Sequence, residues 1–231
     1  MAGTVLVTGA SRGIGAAIAR ELEARGFAVV GLSRSGASAA GRGVSCDVTD
    51  EAALAAAIRA AGPLAGLVNN AGAHTARPSA ELPTAEWEAV LRLDATAAFI
   101  ACREAHAGLV ANGGGTIVNI GSFFGALGVP GSLAYCAAKA AVGAMTRVLA
   151  SEWAADGIRV LNVAPGYIET DLNREFLADA KVQSWLKRRV PAGRAGTPEE
   201  VARLVGLLFD PGIGFLTGET ITMDGGQGMN H

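Results

Sequence analysis

Short apolar runs alternate with longer helical segments along most of this chain. Most of these runs are apolar at successive positions, which is typical of strands in a parallel sheet that helices cover on both faces. The predicted strands are residues 3–8, 28–33, 44–46, 64–69, 116–120, 158–163 and 219–223. The predicted helices are residues 13–25, 50–61, 84–111, 132–155 and 197–209. The alternation predicts an α/β fold, a doubly wound parallel sheet of about seven strands with helices on both faces.

The composition fits one folded unit. The 231 residues are 50% hydrophobic, and no Pro/Gly/Ser-rich linker divides them, so residues 1–231 are predicted to form a single domain. A net charge of -2 and a pI near 5.9 leave no basic surplus for nucleic acid. There is no run of eighteen uncharged apolar residues and no basic N-terminal signal, so neither a membrane span nor secretion is predicted.

Cysteine and histidine spacing points to the cytoplasm and away from a metal site. The cysteines are odd in number and lack CxxC spacing, as is usual in a reducing compartment: Cys46, Cys102 and Cys136. The histidines are scattered and have no paired carboxylate cluster: His74, His106 and His231. We expect a cytoplasmic protein without a metal centre.

Residues 167–190 interrupt the alternation, because they combine charges and three aromatic side chains without a strand pattern. Ligands of doubly wound sheets bind at the carboxyl edge of the strands. An irregular insertion at that edge predicts a substrate lid at approximately residues 169–190. Residues 34–43 are short and rich in Gly, Ala and Ser, which predicts a loop or one helical turn in place of a crossover helix.

Ser122, Tyr135 and Lys139 have complementary proton chemistry. Tyr135 and Lys139 are four residues apart in a predicted helix and so share one face. A nearby ammonium favours the ionised phenol, which suits Tyr135 to act as an acid or base. Ser122 ends the apolar run 115–121 and can donate to the oxygen that Tyr135 protonates. This pairing suits carbonyl reduction or alcohol oxidation, and the hydride must come from a cofactor.

A glycine-rich turn follows the first predicted strand and opens the first predicted helix. Residues 8–15 read TGASRGIG, with glycines at positions 9, 13 and 15 in G-x3-G-x-G spacing. Glycines in that place let backbone amides and a helix N-terminus approach a pyrophosphate. The turn predicts a dinucleotide site, although such a turn can also merely connect strand and helix.

The end of the second strand bears on cofactor selectivity. An acidic residue there would bind a ribose 2′-hydroxyl, whereas this chain has Ser33, Arg34 and Ser35. Together with Arg12 in the turn, these residues favour NADP(H) over NAD(H), since guanidinium groups match phosphate geometry. The alternative is that both arginines are solvated surface groups.

These residues resemble the short-chain dehydrogenase/reductase family over nearly the whole chain. The matching motifs, in order, are residues 8–15, 46–48 (CDV), 69–72 (NNAG), Ser122, 135–139 (YCAAK), 165–170 (PGYIET), 216–218 (LTG) and 224–226 (DGG). The resemblance implies a Rossmann fold, a nicotinamide cofactor and a homotetramer with interfaces on helices 84–111 and 132–155.

The resemblance also implies roles for individual residues. Tyr135 would donate the proton, Ser122 would hold the substrate oxygen, and Lys139 would bind the nicotinamide ribose. The implied cofactor-binding set is Gly9, Ser11, Arg12, Gly13, Ile14, Gly15, Ser33, Arg34, Asp47, Val48, Asn69, Ala71, Gly72, Tyr135, Lys139, Pro165, Gly166, Ile168 and Thr170. Within it, Asp47 and Val48 would contact the adenine, while Asn69 would line the cofactor and also brace the sheet.

Asp94 departs from the family pattern, in which an Asn at the matching position holds a water that connects the Lys to solvent. Asp94 can still distort the helix through its backbone and attract the charge of Lys139. We therefore interpret Asp94 as a member of the catalytic group with an altered proton relay.

The substrate end is predicted to be apolar. Phe124 and Tyr167 are the candidate substrate residues, with further wall residues Phe123, Phe176, Leu177 and Trp185, although core packing explains such aromatics equally well. His74 follows the NNAG motif and is left out of the catalytic set because a lone His is more often structural.

Within the family, the chain most resembles 3-oxoacyl-(acyl-carrier-protein) reductases through residues 165–172 and 190–196. Arg174 matches a basic residue that docks the acidic carrier in those enzymes, but uncharged residues 112–115 replace the other docking cation. The carrier protein is therefore an uncertain partner.

The leading hypothesis is an NADPH-dependent reductase of ketones or 3-oxoacyl groups, or the reverse alcohol dehydrogenase. An NAD-dependent secondary alcohol dehydrogenase is the nearest alternative. A regulatory protein that binds the cofactor without turnover is the alternative from a different class.

Overall fold

A seven-stranded parallel sheet forms the centre of the protein in the computed structural model, which describes residues 3–171 and 173–229. Its strand order is β3-β2-β1-β4-β5-β6-β7. The strands are β1 Thr4–Thr8, β2 Ala28–Ser33, β3 Arg42–Ser45, β4 Gly66–Asn69, β5 Gly115–Ile120, β6 Ile158–Pro165 and β7 Thr220–Met223. The predicted doubly wound sheet is confirmed. Leu172 and His231, which belong to the sequence patterns above, lie outside the described residues.

Helices cover both faces of the sheet. They are α1 Gly13–Ala24, α2 Glu51–Ala60, α3 Thr84–Leu91, α4 Ala97–Ala111, α5 Leu133–Trp153, α6 Arg174–Ala178, α7 Ala180–Arg189 and α8 Pro198–Leu208. Residues of α1 and α8 share one buried apolar cluster with the sheet, and residues of α2, α4 and α5 share another on the opposite face. Along β1, Val5 and Val7 join the first cluster and Leu6 the second, because successive side chains of a strand point to opposite faces.

The order of strands reverses between β1 and β4, and this creates the crevice where doubly wound sheets bind ligands. The Asn70 side chain joins the two strand ends there by donating to the carbonyl oxygens of Thr8 at 2.9 Å and Gly9 at 3.3 Å. In return, the Thr8 hydroxyl accepts hydrogen bonds from the backbone N–H groups of Asn70 and Ala71. These four bonds hold the glycine turn against β4.

Two predicted elements differ in the structure. The predicted helix 84–111 is α3 and α4 joined by a π-helical segment, Arg92–Thr96, which contains Asp94, the residue at which the sequence allows a helix distortion. The predicted irregular segment 167–190 contains α6 and α7, and the Asp179 side chain caps the start of α7 by accepting from Lys181 N–H. The lid role of residues 169–190 stays a prediction.

Helix α5 with the turn that follows it is long and apolar enough to cross a membrane by length and composition, the one such segment among the described residues. It packs against β6 and carries Tyr135 and Lys139 into the cavity described below. Within its most apolar window, 44% is buried inside the protein, and Leu149 and Ala150 belong to the buried apolar cluster that α5 shares with the sheet. We therefore interpret α5 as a core helix.

Candidate active site

A cavity of about 1070 Å³ opens at the edge of the sheet where the strands end. It is lined by segments that follow β1 to β6 and by residues of α5 and α6. The sequence-predicted residues that line it are Gly9, Ser11, Arg12, Gly13, Ile14, Gly15, Ser33, Arg34, Asp47, Val48, Ala71, Gly72, Asp94, Phe124, Tyr135, Lys139, Pro165, Gly166, Tyr167, Ile168 and Thr170. One cavity therefore joins the predicted cofactor residues to the predicted chemistry.

Glycine backbone forms the first wall. Gly9 and Gly13 have φ values of 69° and 56°, which L side chains rarely adopt. A Cβ at Gly15 would overlap the Gly9 carbonyl oxygen and the Asn70 amide nitrogen. Because α1 starts at Gly13, its backbone N–H groups and the positive end of its dipole face this wall. This cradle, which side chains would fill, fits the pyrophosphate of a dinucleotide.

The ends of β2 and β3 form the next part of the wall. The Ser33 hydroxyl already donates to the Ala37 carbonyl oxygen at 2.7 Å, so its proton serves the loop after β2. The pKa of Asp47 is lowered, first because its carboxylate accepts hydrogen bonds from the Thr49 backbone N–H and hydroxyl, and also because the charge of Arg34 is near. The Arg34 charge therefore lies beside the residues that are predicted to contact the adenosine half of a cofactor.

Asn69 does not line the cavity, and this corrects half of its predicted role. Its side chain is buried in the sheet, where it donates to the Asn119 side chain at 2.9 Å and contacts the Cys102 sulfur at 3.2 Å. The bracing half of the prediction agrees with these bonds. The neighbouring Asn70 lines the cavity instead, and the repeated Asn of the NNAG motif was the signal for it.

Tyr135 and Lys139 lie one turn apart on α5 and both face the cavity. The Lys139 ammonium is 5.5 Å from the centre of the Tyr135 ring, so the predicted proximity of ring and charge is present. Lys139 is buried and donates to the Ile120 carbonyl oxygen at the end of β5, at 3.1 Å. The ammonium is therefore fixed between α5 and the strand that leads to Ser122.

Asp94 forms a buried ion pair with Lys139. Its Oδ1 lies 3.2 Å from the ammonium nitrogen, and its Oδ2 accepts from the Ala73 N–H at 3.3 Å. The side chain of Asp94 is wholly buried, and this burial raises its pKa, an effect that the charge of Lys139 opposes. Gly72 leaves the space for the carboxylate, because a Cβ there would overlap Oδ1.

Ser122 lies between two lining residues, Gly121 and Phe123, but is not itself part of the cavity lining. Its oxygen accepts from the Phe124 N–H at 3.2 Å, and no described residue accepts its proton. The short turn that follows it packs against α5, where a Cβ at Gly125 would lie 3.0 Å from the Lys139 carbonyl oxygen. The structure thus places Ser122 between two lining residues, next to the cavity, with a hydroxyl proton that no described residue accepts.

His74 lines the cavity, and sequence reasoning left it out of the site. Its Nε2 lies 3.0 Å from the hydroxyl of Ser132, the residue just before α5. Its ring packs edge-on to Tyr135, with centroids 5.0 Å apart. Only the position after the NNAG motif hinted at this contact, since Ser132 is 58 residues away along the chain.

Aromatic side chains form the wall beyond Tyr135. Phe123 and Phe124 stack at a tilt with centroids 4.7 Å apart, and Tyr167 packs edge-on to Phe123 at 5.3 Å. Trp185 packs behind Tyr167 at 5.3 Å and does not line the cavity, although Phe176 and Leu177 do. The predicted apolar wall is present, with Trp185 in its supporting layer.

The segment after β6 brings Thr170 to the glycine turn, where its Cγ2 would lie 3.5 Å from a Cβ at Gly13. Asn173 fixes this segment, because its Oδ1 accepts from the Thr170 N–H at 2.7 Å and its Nδ2 donates to the Ile168 carbonyl oxygen at 2.9 Å. Arg174 forms ion pairs with Asp171 at 2.7 Å and Glu169 at 3.5 Å. The predicted docking cation is therefore partly neutralised by its own segment.

No group of three His, Cys, Asp or Glu side chains within residues 3–171 and 173–229 is arranged to hold a metal ion. The absence of a metal centre stays a prediction. The cavity brings a phenol, Tyr135, and a buried ammonium, Lys139, together with a cradle that fits a dinucleotide. A fold and a cavity of this kind define the class of NAD(P)-dependent oxidoreductases.

Comparison with known proteins agrees with this class. A family model described as enoyl-(acyl carrier protein) reductase matches residues 9–228. The chain is 42% identical to cis-4-hydroxycyclohexanecarboxylate dehydrogenase from Sinomonas cyclohexanicum, with 96% of this chain and 94% of the relative covered. It is 36% identical to 3-oxoacyl-[acyl-carrier-protein] reductase FabG from Vibrio harveyi, with 97% and 96% covered. A relative from Xanthobacter autotrophicus, 41% identical with 82% and 86% covered, is named inactive 2-(S)-hydroxypropyl-CoM dehydrogenase 2.

Solved structures share the whole fold. A Sinorhizobium meliloti protein assigned as a short-chain alcohol dehydrogenase matches with a TM-score of 0.93 and 33% identity, over 99% of this chain and 97% of that one. A Beutenbergia cavernae protein assigned as an NAD(P)-dependent gluconate 5-dehydrogenase, with bound NADP, matches with a TM-score of 0.90 and 33% identity over 97% and 96%. The chain belongs to the short-chain dehydrogenase/reductase family and is most like its FabG-type members.

Proposed function

We propose that the protein is an NADPH-dependent reductase of ketones or 3-oxoacyl groups that also oxidises the corresponding alcohols. The observation that carries this proposal is the placement of Tyr135 in the cavity wall, with the Lys139 ammonium 5.5 Å from the centre of its ring. The glycine cradle opens on the same cavity. A phenol beside a fixed cation is suited to give a proton to a carbonyl oxygen.

Each polar group has one task in this mechanism. The Tyr135 hydroxyl donates its proton to the substrate oxygen, and the ammonium of Lys139 stabilises the phenolate that remains. The unused proton of Ser122 binds the same substrate oxygen and stabilises its developing charge. A nicotinamide cofactor, when bound, supplies the hydride. Gly9, Gly15 and the start of α1 would hold its pyrophosphate, and Lys139 would bind its ribose.

Asp94 is the positioning group of this set. Its buried carboxylate and the Ile120 carbonyl oxygen both contact the Lys139 ammonium, at 3.2 Å and 3.1 Å, and the two contacts leave the ammonium little freedom. The carboxylate also gives Lys139 a proton-accepting neighbour. Because this carboxylate can accept a proton next to Lys139, the proposed mechanism includes a proton relay through Asp94.

NADP(H) is the proposed cofactor because Arg12 and Arg34 both line the cavity, and guanidinium groups match phosphate geometry. Asp47 is the acidic residue nearby, and its carboxylate is engaged by Thr49. The structure with bound NADP from Beutenbergia cavernae is consistent with this choice. An NAD-dependent alcohol dehydrogenase is the alternative. Equal affinity of the protein for NADPH and NADH would favour it.

The aromatic wall favours a ketone with an apolar body. The names of the relatives span a carrier-bound 3-oxoacyl group and a cyclic alcohol. A free ketone is the proposed substrate, because the ion pairs of Arg174 reduce the charge that it can present to an acidic carrier. Carrier protein stays a secondary partner in the proposal.

A homotetramer is the proposed assembly. Large apolar side chains on α4 and α5 are exposed, with Phe99 45% and Val148 54% accessible. Contact with other copies of the chain would cover them. A mass measurement in solution tests this point, and a monomer would contradict it.

The function is tested by NADPH oxidation with a panel of 3-oxoacyl thioesters, cyclic ketones and aryl ketones. Because one relative is named inactive, turnover by the wild type is the first measurement. Tyr135→Phe is expected to lower turnover by about 10²- to 10⁴-fold while NADPH binding, measured by fluorescence titration, persists. Cys136→Ala, at the next position and outside the cavity lining, is the control. Cofactor binding without turnover of any substrate would favour the regulatory alternative, and an active Tyr135→Phe would overturn the mechanism.

A further inference from the structure

Ser132 stands at the N-cap of α5 but does not cap it. A Ser at this position usually accepts a hydrogen bond from the first turn of its helix, and here no such bond is present. The residue is 3% accessible, and its hydroxyl is directed to His74 Nε2, 3.0 Å away. The start of α5 therefore has no side-chain cap, because the Ser132 hydroxyl is hydrogen-bonded to the His74 imidazole instead.

The backbone around this pair is fixed. The Arg77 N–H donates to the Gly131 carbonyl oxygen at 2.7 Å, which ties the segment after β4 to the loop before α5. The Arg77 side chain also pairs with Glu86 at 2.7 Å at the start of α3. His74 lies three residues before Arg77 and is held by Ser132 and by edge-on contacts of its ring with Tyr135 and Phe124. Groups held in this way bind with little loss of conformational freedom.

The pair offers hydrogen bonds without a net charge. Burial lowers the pKa of His74, an effect that the charge of Asp94 opposes, so the imidazole is neutral at pH 7. If Ser132 donates to Nε2, then Nδ1–H is a free donor; if Nε2–H donates, then the Ser132 hydroxyl is the donor. Within residues 3–171 and 173–229, nothing pairs with Nδ1. In either tautomer the pair presents one donor and one acceptor.

The rest of the substrate end has few polar groups left to bind a ligand. The Tyr167 ring is packed edge-on to Phe123 and Trp185, and the Asn173 amide is used by Thr170 and Ile168. Phe124, Val129 and Leu177 add apolar side chains to the lining of the same cavity. Tyr135 and Ser122 are committed to the reacting oxygen in the proposed mechanism. His74, whose ring centroid lies 5.0 Å from that of Tyr135, and Ser132 therefore offer a partner to a second polar group of a substrate.

We propose that His74 and Ser132 form a substrate-recognition pair that binds a second oxygen function of the ketone, a carbonyl or a hydroxyl, close to the reacting carbonyl. This inference rests on the proposed reductase function. The substrate class is an oxygen-substituted ketone, such as a 3-oxo ester or a hydroxyketone. Because the His74 and Tyr135 rings are only 5.0 Å apart between centroids, the two substrate oxygens belong to neighbouring parts of the molecule.

The test compares two ketones of equal chain length, ethyl 3-oxobutanoate and 2-heptanone, in wild type, His74→Leu, His74→Gln and Ser132→Ala. His74→Leu is expected to lower kcat/KM for the 3-oxo ester about tenfold or more and for 2-heptanone less than threefold, because only the ester has a second oxygen to lose. His74→Gln, which keeps a donor and an acceptor, should restore most of the preference. Ser132→Ala should fall between them, and Thr75→Ala, outside the cavity lining, is the control.

Outcomes separate this inference from the function on which it rests. If His74→Leu lowers kcat/KM equally for both ketones, His74 only packs against Tyr135, and the recognition role is overturned. The reductase function would be unaffected by that result. A wild type that reduces 2-heptanone as well as the 3-oxo ester would overturn it too. Unfolding temperature and NADPH affinity of each variant should match the wild type. The reductase function itself fails if the wild type turns over no substrate of the panel, or if Tyr135→Phe keeps full turnover.

Discussion

The two ends of the cavity are built in different ways. The cofactor end is formed by backbone, and its shape depends on side chains that are missing at Gly9, Gly13 and Gly15. The substrate end is formed by side chains from separate loops, such as His74 and Ser132. Changes at the cofactor end should therefore act on binding of every dinucleotide, whereas changes at the substrate end should act on selection among substrates.

The Asp94–Lys139 pair lies at the junction of the two ends. It is buried beneath Gly72 at the cofactor side and one helical turn from Tyr135 at the substrate side. A charge pair in this place connects the cofactor ribose to the proton donor in the proposed mechanism. Four variants test the division between backbone and side chains.

Gly15→Ala should have the largest effect. Its Cβ overlaps the Gly9 carbonyl oxygen and the Asn70 amide, two groups that hold the turn together, so the cradle must distort. We expect NADPH affinity to fall by about 100-fold or more, together with a lower unfolding temperature. Fluorescence titration and thermal unfolding measure both. Gly128→Ala is the matched control, because a Cβ there meets nothing within 4 Å. Normal NADPH binding by Gly15→Ala would refute a backbone-built cofactor end.

Arg34→Ala should have the next largest effect and should distinguish the two cofactors. Removing a guanidinium that binds the 2′-phosphate is expected to weaken NADPH binding about tenfold, with NADH binding unchanged. Initial rates with each cofactor measure this. Arg20→Ala on the exposed face of α1 is the control. Equal weakening for both cofactors would mean that Arg34 does not read the phosphate.

Asp94→Asn should change the pH profile of turnover more than cofactor affinity. Burial raises the pKa of Asp94, so as the pH falls this carboxylate takes up a proton earlier than an ordinary Asp, which titrates at about 4. Protonation removes the negative charge that holds Lys139. We therefore expect kcat to fall as the pH decreases, and this acid limb should begin at a higher pH than the titration of an ordinary Asp. The limb should disappear in Asp94→Asn, while the Kd for NADPH stays within about twofold. An unchanged profile would exclude Asp94 from the chemistry.

Glu200→Gln should have the smallest effect and should act through stability. Residues 194–200 support the substrate end, because the Gly196 N–H donates to the Tyr167 carbonyl oxygen at 2.8 Å. The pKa of Glu200 is lowered to about 2, first by hydrogen bonds from Arg194 and then by the Thr197 N–H. A lowered pKa stabilises the folded state above the unfolded value of about 4.3, and this contribution is lost as the pH falls towards 2.

The expected loss in Glu200→Gln is about 0.5 kcal/mol at pH 7, because Gln keeps the cap and removes only an exposed charge pair. Urea unfolding at pH 7 and pH 3 measures it, with Glu199→Gln as the control. The difference from wild type should shrink at the lower pH. A difference that grows on acidification would contradict the sign of this linkage.

Sequence reasoning succeeded where a feature is local. Strand runs, the glycine turn and the spacing of Tyr135 and Lys139 are short patterns, and the structure places all of them in one sheet and one cavity. It was wrong where tertiary packing decided the outcome. Asn69 was predicted to line the cofactor, but its side chain turns into the sheet, where it donates to Asn119.

By itself, the sequence determined the sheet, the family and the cofactor cradle, because backbone periodicity and missing side chains leave marks at fixed short spacings. Only the tertiary structure decided that Ser132 binds His74 instead of capping its helix, and that Asn70 rather than Asn69 faces the cavity. These contacts join residues that are far apart along the chain. Their partners are set by how loops meet at the sheet edge, and no local pattern records that.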